Sequence, residues 1–350
     1  MTLAFFCNYN DMTKKINFPF TAIVGQEEMK LALILNAIDR GIGGVLIMGH
    51  RGTAKSTSVR ALASLLPALE ENEVVAEISV QGTKEKMPLN VMREDAVPIV
   101  DLPLSATEDR VVGTLDIEMA LTKGKKSFEP GLLARAHGGF LYIDEVNLLE
   151  DHLVDLLLDV AVSGVNIVER EGLSVRHPAK FVLVGSGNPE EGDLRPQLLD
   201  RFGLYTEITT ILDLNQRVEV VMRTEAFRKS PLAFEKKWLP EQKKLCKRIQ
   251  KAIQIIEEVT ISEKLMAKAI ELCLKLKIDG HRGEIVISRA AKALAAYNGK
   301  MNVTGADIKT VASMCLRHRL RRDPLEEIDS GSKIEEVLSE LFVGGINTVK

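Results

Sequence analysis

The chain has 350 residues, of which 45% are hydrophobic and 27% are charged, close to the averages of globular proteins. These values exclude a disordered or collagen-like chain. The 46 Lys and Arg residues against 49 Asp and Glu residues give a formal net charge of -3, so the chain as a whole lacks the excess positive charge that drives non-specific binding to nucleic acid.

Short apolar runs and few cysteines narrow the class of protein further. No run approaches the roughly 18 apolar residues that cross a bilayer, and residues 1–10 lack the basic region and long apolar run of a secretory signal. The 4 cysteines are too scattered for a disulfide framework or a zinc site. We therefore expect a soluble protein without a membrane span, in a reducing compartment.

The first two thirds of the chain show strands alternating with helices. Apolar residues recur at helical spacing over 31–38, and the apolar run 45–48 is typical of a buried parallel strand. A glycine-rich turn follows, so we expect a second helix to begin near Lys55. Further apolar runs at 140–143 and 181–184 predict more strands, with helix-like segments between them. The sequence therefore predicts an α/β fold with a parallel sheet.

A different pattern marks residues 165–177, and another begins after about Phe227. Over 165–177 apolar and polar residues alternate on both sides of a turn, which predicts a β-hairpin inserted between core strands. Beyond Phe227 the strand signals disappear and helical stripes of apolar residues replace them. We expect an N-terminal extension at 1–16, an α/β domain at 17–230 and a C-terminal helical domain at 231–350.

Between the first strand and the second helix lies a segment with the spacing of a phosphate-binding loop. Backbone N–H groups of such a loop bind phosphates, Lys55 would reach the β and γ phosphates, and the hydroxyl of Ser56 would join the shell of Mg²⁺. Ala54 stands where the pattern has a second glycine, and we expect it near the first helical turn, where a right-handed conformation suits alanine. An exposed loop histidine is more often inert, so His50 is assigned no catalytic role. The expected contacts of ATP are Gly49, His50, Arg51, Gly52, Thr53, Ala54, Lys55, Ser56 and Thr57.

Two carboxylates follow the predicted strand at 140–143. Ligands of open α/β sheets bind at the carboxyl ends of the strands, which is where Asp144 and Glu145 stand. We expect Asp144 to hold the Mg²⁺ of MgATP together with Ser56, and Glu145 to polarise the attacking water. A solvated acidic turn is the alternative, and the phosphate loop upstream favours the catalytic role.

Two further polar residues are candidates for the same chemistry. Asn188 follows the predicted strand at 181–184 and could orient the attacking water, although Asn before Pro is also a common turn former. Arg201 stands on a short connection, from which it could reach across a subunit interface to neutralise charge in the transition state. A surface ion pair is the alternative for Arg201.

A phosphate loop, an Asp-Glu pair after a strand, a polar residue after the next strand and a late arginine, in this order, resemble an AAA+ ATPase. Within that superfamily the chain resembles the family of magnesium chelatase I subunits over roughly 18–342. The matching segments are 128–134, 142–149, 185–203, 279–294 and 316–325. The resemblance implies an AAA+ P-loop NTPase core with a parallel sheet and a β-hairpin insertion, followed by a C-terminal helical domain that carries sensor 2.

The resemblance also implies an activity, cofactors and partners. Members of the family use ATP and Mg²⁺, assemble into hexameric rings and act with a D subunit and a porphyrin-binding H subunit. Together they drive insertion of Mg²⁺ into protoporphyrin IX, which commits the porphyrin to chlorophyll. The residues to which the resemblance assigns nucleotide chemistry are Lys55, Ser56, Asp144, Glu145, Asn188, Arg201 as the finger offered to a neighbouring subunit, and Arg282 as sensor 2, with Arg289 as the second choice for that last role.

The chain departs twice from the phosphate loop of that family, which usually has Asp at the position of His50 and Gly at that of Ala54. MCM helicases resemble this chain in carrying alanine there, and a DNA motor of that kind is the first rival function. The basic run 317–322 would support it, but the run ends a predicted helix, where cations favourably meet the helix dipole, so we favour a structural or interface role. A nucleotide-gated scaffold or chaperone that needs no turnover is the second rival.

The cysteines and the compartment complete the expectations. Cys273 and Cys315 fall in apolar stripes of predicted helices, so burial as small hydrophobic residues is the simplest account. Plastid members of the family resemble redox-regulated ATPases, which implies the hypothesis of a reversible disulfide between these two residues. The absence of a transit peptide fits either a bacterial cytoplasm or the stroma of a chloroplast that makes the protein itself.

Overall fold

A computed structural model describes most of the chain. The described residues are 16–50, 52–66, 74–80, 83–89, 91, 97–116, 127–170, 173–192, 194–320 and 330–342. Residues 1–15 of the predicted N-terminal extension, Arg51 of the predicted loop, and residues 321–322 of the basic run lie outside them.

The described part of the chain contains the following strands and helices. The strands are β1 (Val45–Gly49), β2 (Val74–Val80), β3 (Thr83–Leu89), β4 (Ile99–Leu102), β5 (Gly113–Asp116), β6 (Ser127–Pro130), β7 (Phe140–Ile143), β8 (Val165–Arg170), β9 (Leu173–Pro178), β10 (Val182–Gly187) and β11 (Leu204–Ile208). The helices are α1 (Glu27–Ile38), α2 (Lys55–Leu65), α3 (Glu108–Val112), α4 (Leu132–Ala136), α5 (Asp151–Ser163), α6 (Pro196–Arg201), α7 (Leu214–Lys229), α8 (Pro231–Ile255), α9 (Glu263–Lys275), α10 (Arg282–Tyr297), α11 (Gly305–Leu316) and α12 (Ser330–Phe342).

Five strands form a parallel sheet at the centre of the fold. Their spatial order is β11-β1-β10-β7-β4, and all four pairings are parallel. Every residue of β1, β7 and β10 is buried, because each face of the sheet is covered by a hydrophobic core. Val45 and Ile47 pack into one core with α1 and α2, whereas Leu46 and Met48 pack into the other with α4 and α5. The predicted parallel sheet is therefore confirmed, with the third predicted strand extending to Gly187.

A second, antiparallel sheet lies outside the parallel one. Its order is β3-β2-β9-β8, and the β8–β9 pair is the hairpin predicted over 165–177. The sequence did not reveal that β2 and β3 join this hairpin. β3 reads Thr-Lys-Glu-Lys-Met-Pro-Leu, with too few apolar residues to predict a strand.

Buried polar contacts fix the base of the hairpin. Nδ2 of Asn166 donates to the carbonyl oxygen of Val112 at 2.8 Å and lies 2.9 Å from Nε2 of His177. Nδ1 of His177 lies 3.0 Å from the carbonyl oxygen of Pro178. Burial lowers the pKa of His177, so the ring is neutral, with Nδ1 donating and Nε2 accepting. The hairpin is thereby tied to the end of α3.

After β11 the regular elements of the described chain are helical, from α7 to α12. Residues of α8, α10 and α11 share one core with α1, so the C-terminal helices pack directly on the α/β part. The helical run begins at Leu214, ahead of the predicted boundary between residues 230 and 231, and the division into domains stays a prediction. Among the residues that the structure describes, no helix combines the length and apolar character needed to cross a membrane.

Candidate active site

Three neighbouring strands of the parallel sheet end at one edge, and each leads into predicted site residues. β1 ends at Gly49, where the predicted phosphate loop begins; β7 is followed by Asp144, and β10 is followed by Asn188. Ile143 pairs with Gly185, and adjacent strands lie about 4.8 Å apart. The sheet therefore brings the loop, Asp144 and Asn188 together at the edge where parallel sheets bind ligands.

Lys55 is the first residue of α2, and its side chain reaches back across the loop. Nζ of Lys55 donates to the carbonyl oxygens of Gly49, of His50 at 3.2 Å and of Gly187 at 3.4 Å. Oγ1 of Thr53 donates to the carbonyl oxygen of His50 at 2.8 Å and closes the turn. These contacts hold the ammonium group of Lys55 between the ends of β1 and β10.

The N-terminus of α2 is suited to an anion. Among the described residues, no side chain caps this end of the helix, whose first turn contains Ser56 and Thr57. A Cβ atom added to Gly52 would find no described atom within 4 Å, so there is open space beside the loop. Uncapped amide groups next to open space and an ammonium group fit a phosphate.

Ala54 corrects one expectation from the sequence. It has φ 64° and ψ 22°, in the left-handed region, and it precedes α2 as the N-cap instead of lying in the first turn. The expectation of a right-handed alanine was therefore wrong. A left-handed conformation costs a residue with a Cβ atom roughly 1–2 kcal/mol, which explains why the loop pattern has glycine at this position.

A network of hydroxyl groups orients Asp144. Oγ of Ser186 lies 2.6 Å and Oη of Tyr142 lies 3.0 Å from Oδ1 of Asp144, and the two hydroxyl oxygens are 3.0 Å apart. Burial raises the pKa of Tyr142, so its hydroxyl remains a proton donor beside the carboxylate. Sequence reasoning missed both hydroxyl residues. Ser186 gave a signal, since it is a polar residue inside an otherwise apolar buried strand.

Glu145 and Asn188 also lie at the edge of the sheet where β1, β7 and β10 end. Glu145 has φ 56° and ψ 52°, a left-handed conformation that is uncommon for residues other than glycine. The side chain of Asn188 accepts a hydrogen bond from the backbone N of Glu190 at 3.3 Å, and its Nδ2 donates to the carboxylate of Glu190 at 3.4 Å. Nδ1 of His50 lies 3.6 Å from that carboxylate. Asn188 therefore forms the turn here, and its contact with water stays a prediction.

Arg201 lies at the opposite edge of the sheet from the loop. It is the last residue of α6, so the expected short connection is a helical turn, and β11 follows at Leu204. β11 runs parallel to β1, with Val45 paired to Leu204 and Gly49 paired to Ile208. Arg201 thus precedes the edge at which β1 begins. The length of the strand, at about 3.3 Å per residue, separates Arg201 from the loop of its own chain.

The side chain of Arg201 forms ion pairs within its own subunit. Nη1 lies 2.9 Å from Oδ1 of Asp159, and Nε lies 3.3 Å from Oδ1 of Asp155, both on α5. The side chain is 32% exposed, and that of Asp159 is 70% exposed. Because these charges face solvent, the pairs are weak, and Arg201 is accessible to another molecule.

Arg282 and Arg289, the two candidates for sensor 2, both lie on α10. Nη1 of Arg289 lies 3.1 Å from Oδ1 of Asp39, which follows α1, so this residue links two helices. Arg282 is the first residue of α10 and lies near Arg319, whose pKa is lowered mainly by burial and further by the charge of Arg282. Arg319 in turn binds the residues beside Arg201.

Cys273 and Cys315 are buried and free, in α9 and α11. Burial raises the pKa of Cys273 to about 12 and also raises that of Cys315. Thiols that stay protonated react slowly with oxidants. The disulfide between them stays a prediction.

Comparison with known proteins connects this architecture to a family. The family model described as magnesium chelatase, subunit ChlI, matches residues 19–198, and the one described as AAA lid domain matches residues 266–340. The magnesium-chelatase 38 kDa subunit of Chlorobaculum tepidum is 58% identical over 337 residues, covering 93% of this chain and 86% of that protein. The magnesium-chelatase subunit ChlI of Porphyra purpurea is 55% identical over 344 residues, covering 95% and 97%.

A solved structure agrees with these relatives. It is a model of the complex between subunits BchI and BchD of magnesium chelatase, based on a cryo-EM reconstruction at 7.5 Å. The match has a TM-score of 0.50 and 49% identity, and covers 93% of this chain and 100% of that chain. With the parallel sheet, the ends of β1, β7 and β10 and the C-terminal helices in place, the chain belongs to the magnesium chelatase ChlI family of AAA+ proteins.

Proposed function

We propose that this chain is the ATP-hydrolysing motor subunit of a magnesium chelatase and that it binds MgATP where β1, β7 and β10 end. The observation that carries the proposal is the convergence of Lys55, Asp144 and Asn188 at one edge of the parallel sheet. Membership of the ChlI family supports the same reaction.

Each residue at this edge has a role that follows from its atoms. The amide groups at the start of α2 and Nζ of Lys55 would bind phosphate oxygens. Oγ of Ser56 and the carboxylate of Asp144 are hard oxygen ligands and would hold Mg²⁺, which neutralises negative charge on the phosphates when bound. The hydroxyl groups of Ser186 and Tyr142 keep the carboxylate of Asp144 in one orientation.

Glu145 and Asn188 would act on the attacking water. Glu145 follows Asp144 directly, so its carboxylate would orient the water and accept its proton. Asn188 would need to turn its amide away from Glu190 to contact the same water. The left-handed backbone of Glu145 supports this role, because such conformations concentrate at functional sites.

Arg201 and Arg282 would act on the nucleotide of a neighbouring subunit. Arg201 precedes the sheet edge opposite the loop, so the rigid strands keep it from the nucleotide of its own chain. Arg282, the first residue of α10, would act beside it as sensor 2. An assembly that places this side against the loop of the next subunit would complete each site with a cation that stabilises transition-state charge.

The family suggests which subunits act as partners and which porphyrin is the substrate of metal insertion. A relative of this chain is solved in complex with a BchD subunit, which supports a D subunit as partner and a ring, expected to be hexameric, as the working form. A porphyrin-binding H subunit would receive Mg²⁺ and carry protoporphyrin IX. The relatives named above come from a bacterium and an alga, so a bacterial cytoplasm or a plastid would suit the protein.

Reconstitution of the chelatase tests this proposal. Purified chain is combined with D and H subunits, MgATP and protoporphyrin IX, and both phosphate release and Mg-protoporphyrin fluorescence are followed. The variant Glu145→Gln keeps the shape of the site and removes its base, so hydrolysis should fall by about 10²–10⁴-fold, and metal insertion should fall with it. Glu150→Gln, a change at an exposed carboxylate nearby, should leave both rates unchanged.

Two outcomes would contradict the proposal. If the Glu145→Gln variant lost hydrolysis but still supported metal insertion, the chain would be a nucleotide-gated scaffold. If it retained hydrolysis at the rate of the unmodified chain, Glu145 would not be the base and the site would need another assignment.

A further inference from the structure

The residues on both sides of Arg201 are bound by one arginine from the C-terminal helices. Nη1 of Arg319 donates to the carbonyl oxygen of Asp200 and, at 2.7 Å, to its Oδ1. Nη2 of Arg319 donates to the carbonyl oxygen of Phe202 at 2.7 Å. A single guanidinium group therefore fixes the backbone before and after Arg201, with the two-pronged geometry that lysine lacks.

His318 adds a second contact to the same segment. Its Nε2 lies 3.0 Å from the carbonyl oxygen of Phe202, and its ring stacks on Tyr205 of β11 with the ring centroids 5.5 Å apart. Burial, and next the charge of Arg319, hold the pKa of His318 well below its usual range, so Nε2 carries the single ring proton and donates it to that carbonyl. Histidine and arginine together place the end of α6 against the end of α11.

These contacts are inside the protein. The side chain of Arg319 is only 1% exposed, so solvent does not compete for its hydrogen bonds. Arg317, the preceding arginine, points elsewhere: its Nη2 binds Oγ of Ser313 at 2.8 Å and lies 3.5 Å from a carboxylate oxygen of Glu28 on α1. The described part of the basic run thus has internal partners, in agreement with the structural role expected from the sequence.

Backbone hydrogen bonds hold the other end of the segment. The N–H of Gly203 donates to the carbonyl oxygen of Gly43, and that of Leu204 donates to Gly44. A Cβ atom at Gly203 would lie 2.0 Å from the carbonyl oxygen of Ile42, so the chain passes too close here for any other residue. On the side towards α11 the segment is held by hydrogen bonds from the side chains of Arg319 and His318, which a mutation can change.

We propose that Arg319 is a positioning residue for hydrolysis: by binding Asp200 and Phe202 it sets the position from which Arg201 reaches the nucleotide of the neighbouring subunit. This inference rests on the proposed function, since it requires Arg201 to act across a subunit interface. It also links the C-terminal helices to hydrolysis in the next subunit, because Arg319 moves with α11. A displacement of Arg201 by about 1 Å is enough to slow a reaction by about 10²-fold.

The first measurement uses assemblies of one kind of subunit. Arg319→Gln removes the guanidinium group, and we expect kcat for ATP hydrolysis to fall by about 10²-fold with little change in KM. Arg319→Lys keeps the charge but loses the two-pronged contact, and should give an intermediate kcat. Arg317→Gln is the matched control, because the hydrogen bond of this neighbouring arginine goes to Ser313 and not to Asp200 or Phe202, and its kcat should be unchanged.

The second measurement mixes subunits of two variants in one assembly. It distinguishes a subunit that no longer offers Arg201 to its neighbour from a subunit that no longer uses nucleotide. Lys55→Ala subunits cannot use nucleotide but still offer Arg201, whereas Arg201→Ala subunits have the reverse defect. We expect Arg319→Gln subunits to regain hydrolysis when mixed with Lys55→Ala subunits and to remain inactive when mixed with Arg201→Ala subunits. In a double variant, Arg319→Gln should not slow ATP hydrolysis further when Arg201→Ala is already present. It should slow hydrolysis further when Arg282→Ala is present instead.

Several results would overturn the inference. One such result is an unchanged rate of ATP hydrolysis in the Arg319→Gln variant. Another is that Arg319→Gln subunits regain hydrolysis when mixed with Arg201→Ala subunits but not when mixed with Lys55→Ala subunits. Should Arg319→Gln fail to fold, as judged by its melting temperature, the same mixtures with Arg319→Lys decide the matter in the same way. A mixture of Lys55→Ala and Arg201→Ala subunits tests the proposed function separately: if it stays inactive, Arg201 does not act between subunits and the inference falls with that function.

Discussion

Ala54 and Glu145 share a backbone conformation that residues with a Cβ atom rarely adopt, with φ values of 64° and 56°. Both border the edge where β1, β7 and β10 end. Conformations of this kind cost on the order of 1–3 kcal/mol and persist where the surrounding structure requires them. At Ala54 the requirement is the turn that brings amide groups to the start of α2, and at Glu145 it is the sharp turn after β7.

Replacement of Ala54 by glycine should relieve this strain. Glycine adopts the left-handed region freely, so we expect Ala54→Gly to leave stability unchanged or raise it by up to about 1 kcal/mol, while ATP hydrolysis is retained. Ala54→Val should be destabilising, because a β-branched residue is a true outlier at positive φ. The measurement is the melting temperature of each variant.

A matched control lies in the same helix. Ala63 is buried in the right-handed interior of α2, where Ala63→Gly should lower stability by about 1 kcal/mol. If Ala54→Gly lowered the melting temperature as much as Ala63→Gly does, the left-handed conformation of Ala54 would not be strained.

The residues of the site could be predicted where the chemistry is carried by a motif. Lys55, Asp144 and Asn188 were expected at one sheet edge because spacing along the chain and the geometry of parallel sheets place them there. Ser186 and Tyr142 could not be assigned, since their role depends on the register between β7 and β10 and not on local sequence. The strand predictions themselves held because buried parallel strands are continuous apolar runs.

Short elements were harder to predict than long ones. α6 was expected to be a connection, because its residues Pro196–Arg201 are too few for a helical period to show. β2 and β3 were missed because only a few of their residues, such as Val74, Ala76 and Leu89, enter the core, which leaves little apolar pattern in the sequence. Their pairing with the hairpin is a long-range contact that only the folded chain reveals.

The contact between the ends of α6 and α11 gives a prediction about pH. His318 is buried between β11 and the end of α11, facing Arg317 and Arg319 from its own segment, and its pKa lies well below the usual 6.5, first because of burial. In the unfolded chain the imidazole of His318 is protonated near pH 6.5, whereas in the folded chain it is protonated only at lower pH. Stability should therefore fall as the pH decreases below 6.5, by at most about 1.4 kcal/mol per pH unit for this residue.

Urea unfolding at pH 7.5, 6.5 and 5.5 measures that effect. In the His318→Phe variant, which keeps a ring against Tyr205, the loss of stability between pH 6.5 and 5.5 should be smaller than in the unmodified chain. His281→Gln, which changes a histidine whose side chain is 93% exposed, is the control. Equal slopes in all three proteins would show that His318 titrates normally.

The distribution of charge over the whole molecule separates this chain from a DNA motor. The formal net charge is -3, and Arg317, His318 and Arg319 of the basic run are engaged inside the subunit. We expect neither single-stranded nor double-stranded DNA to change the rate of ATP hydrolysis at about 0.1 M salt, where screening already weakens phosphate contacts. Strong stimulation by DNA would instead favour the MCM-like function.

The phosphate loop and Arg201 lie at opposite edges of one sheet, so the two ends of each subunit are different. When every subunit makes the same head-to-tail contact, the arginine of one subunit lies beside the loop of the next. An open row of subunits would always keep one terminal loop without an arginine and one terminal arginine without a loop. Among head-to-tail arrangements only a closed ring leaves no end, so closing a row completes the one site that was missing its arginine.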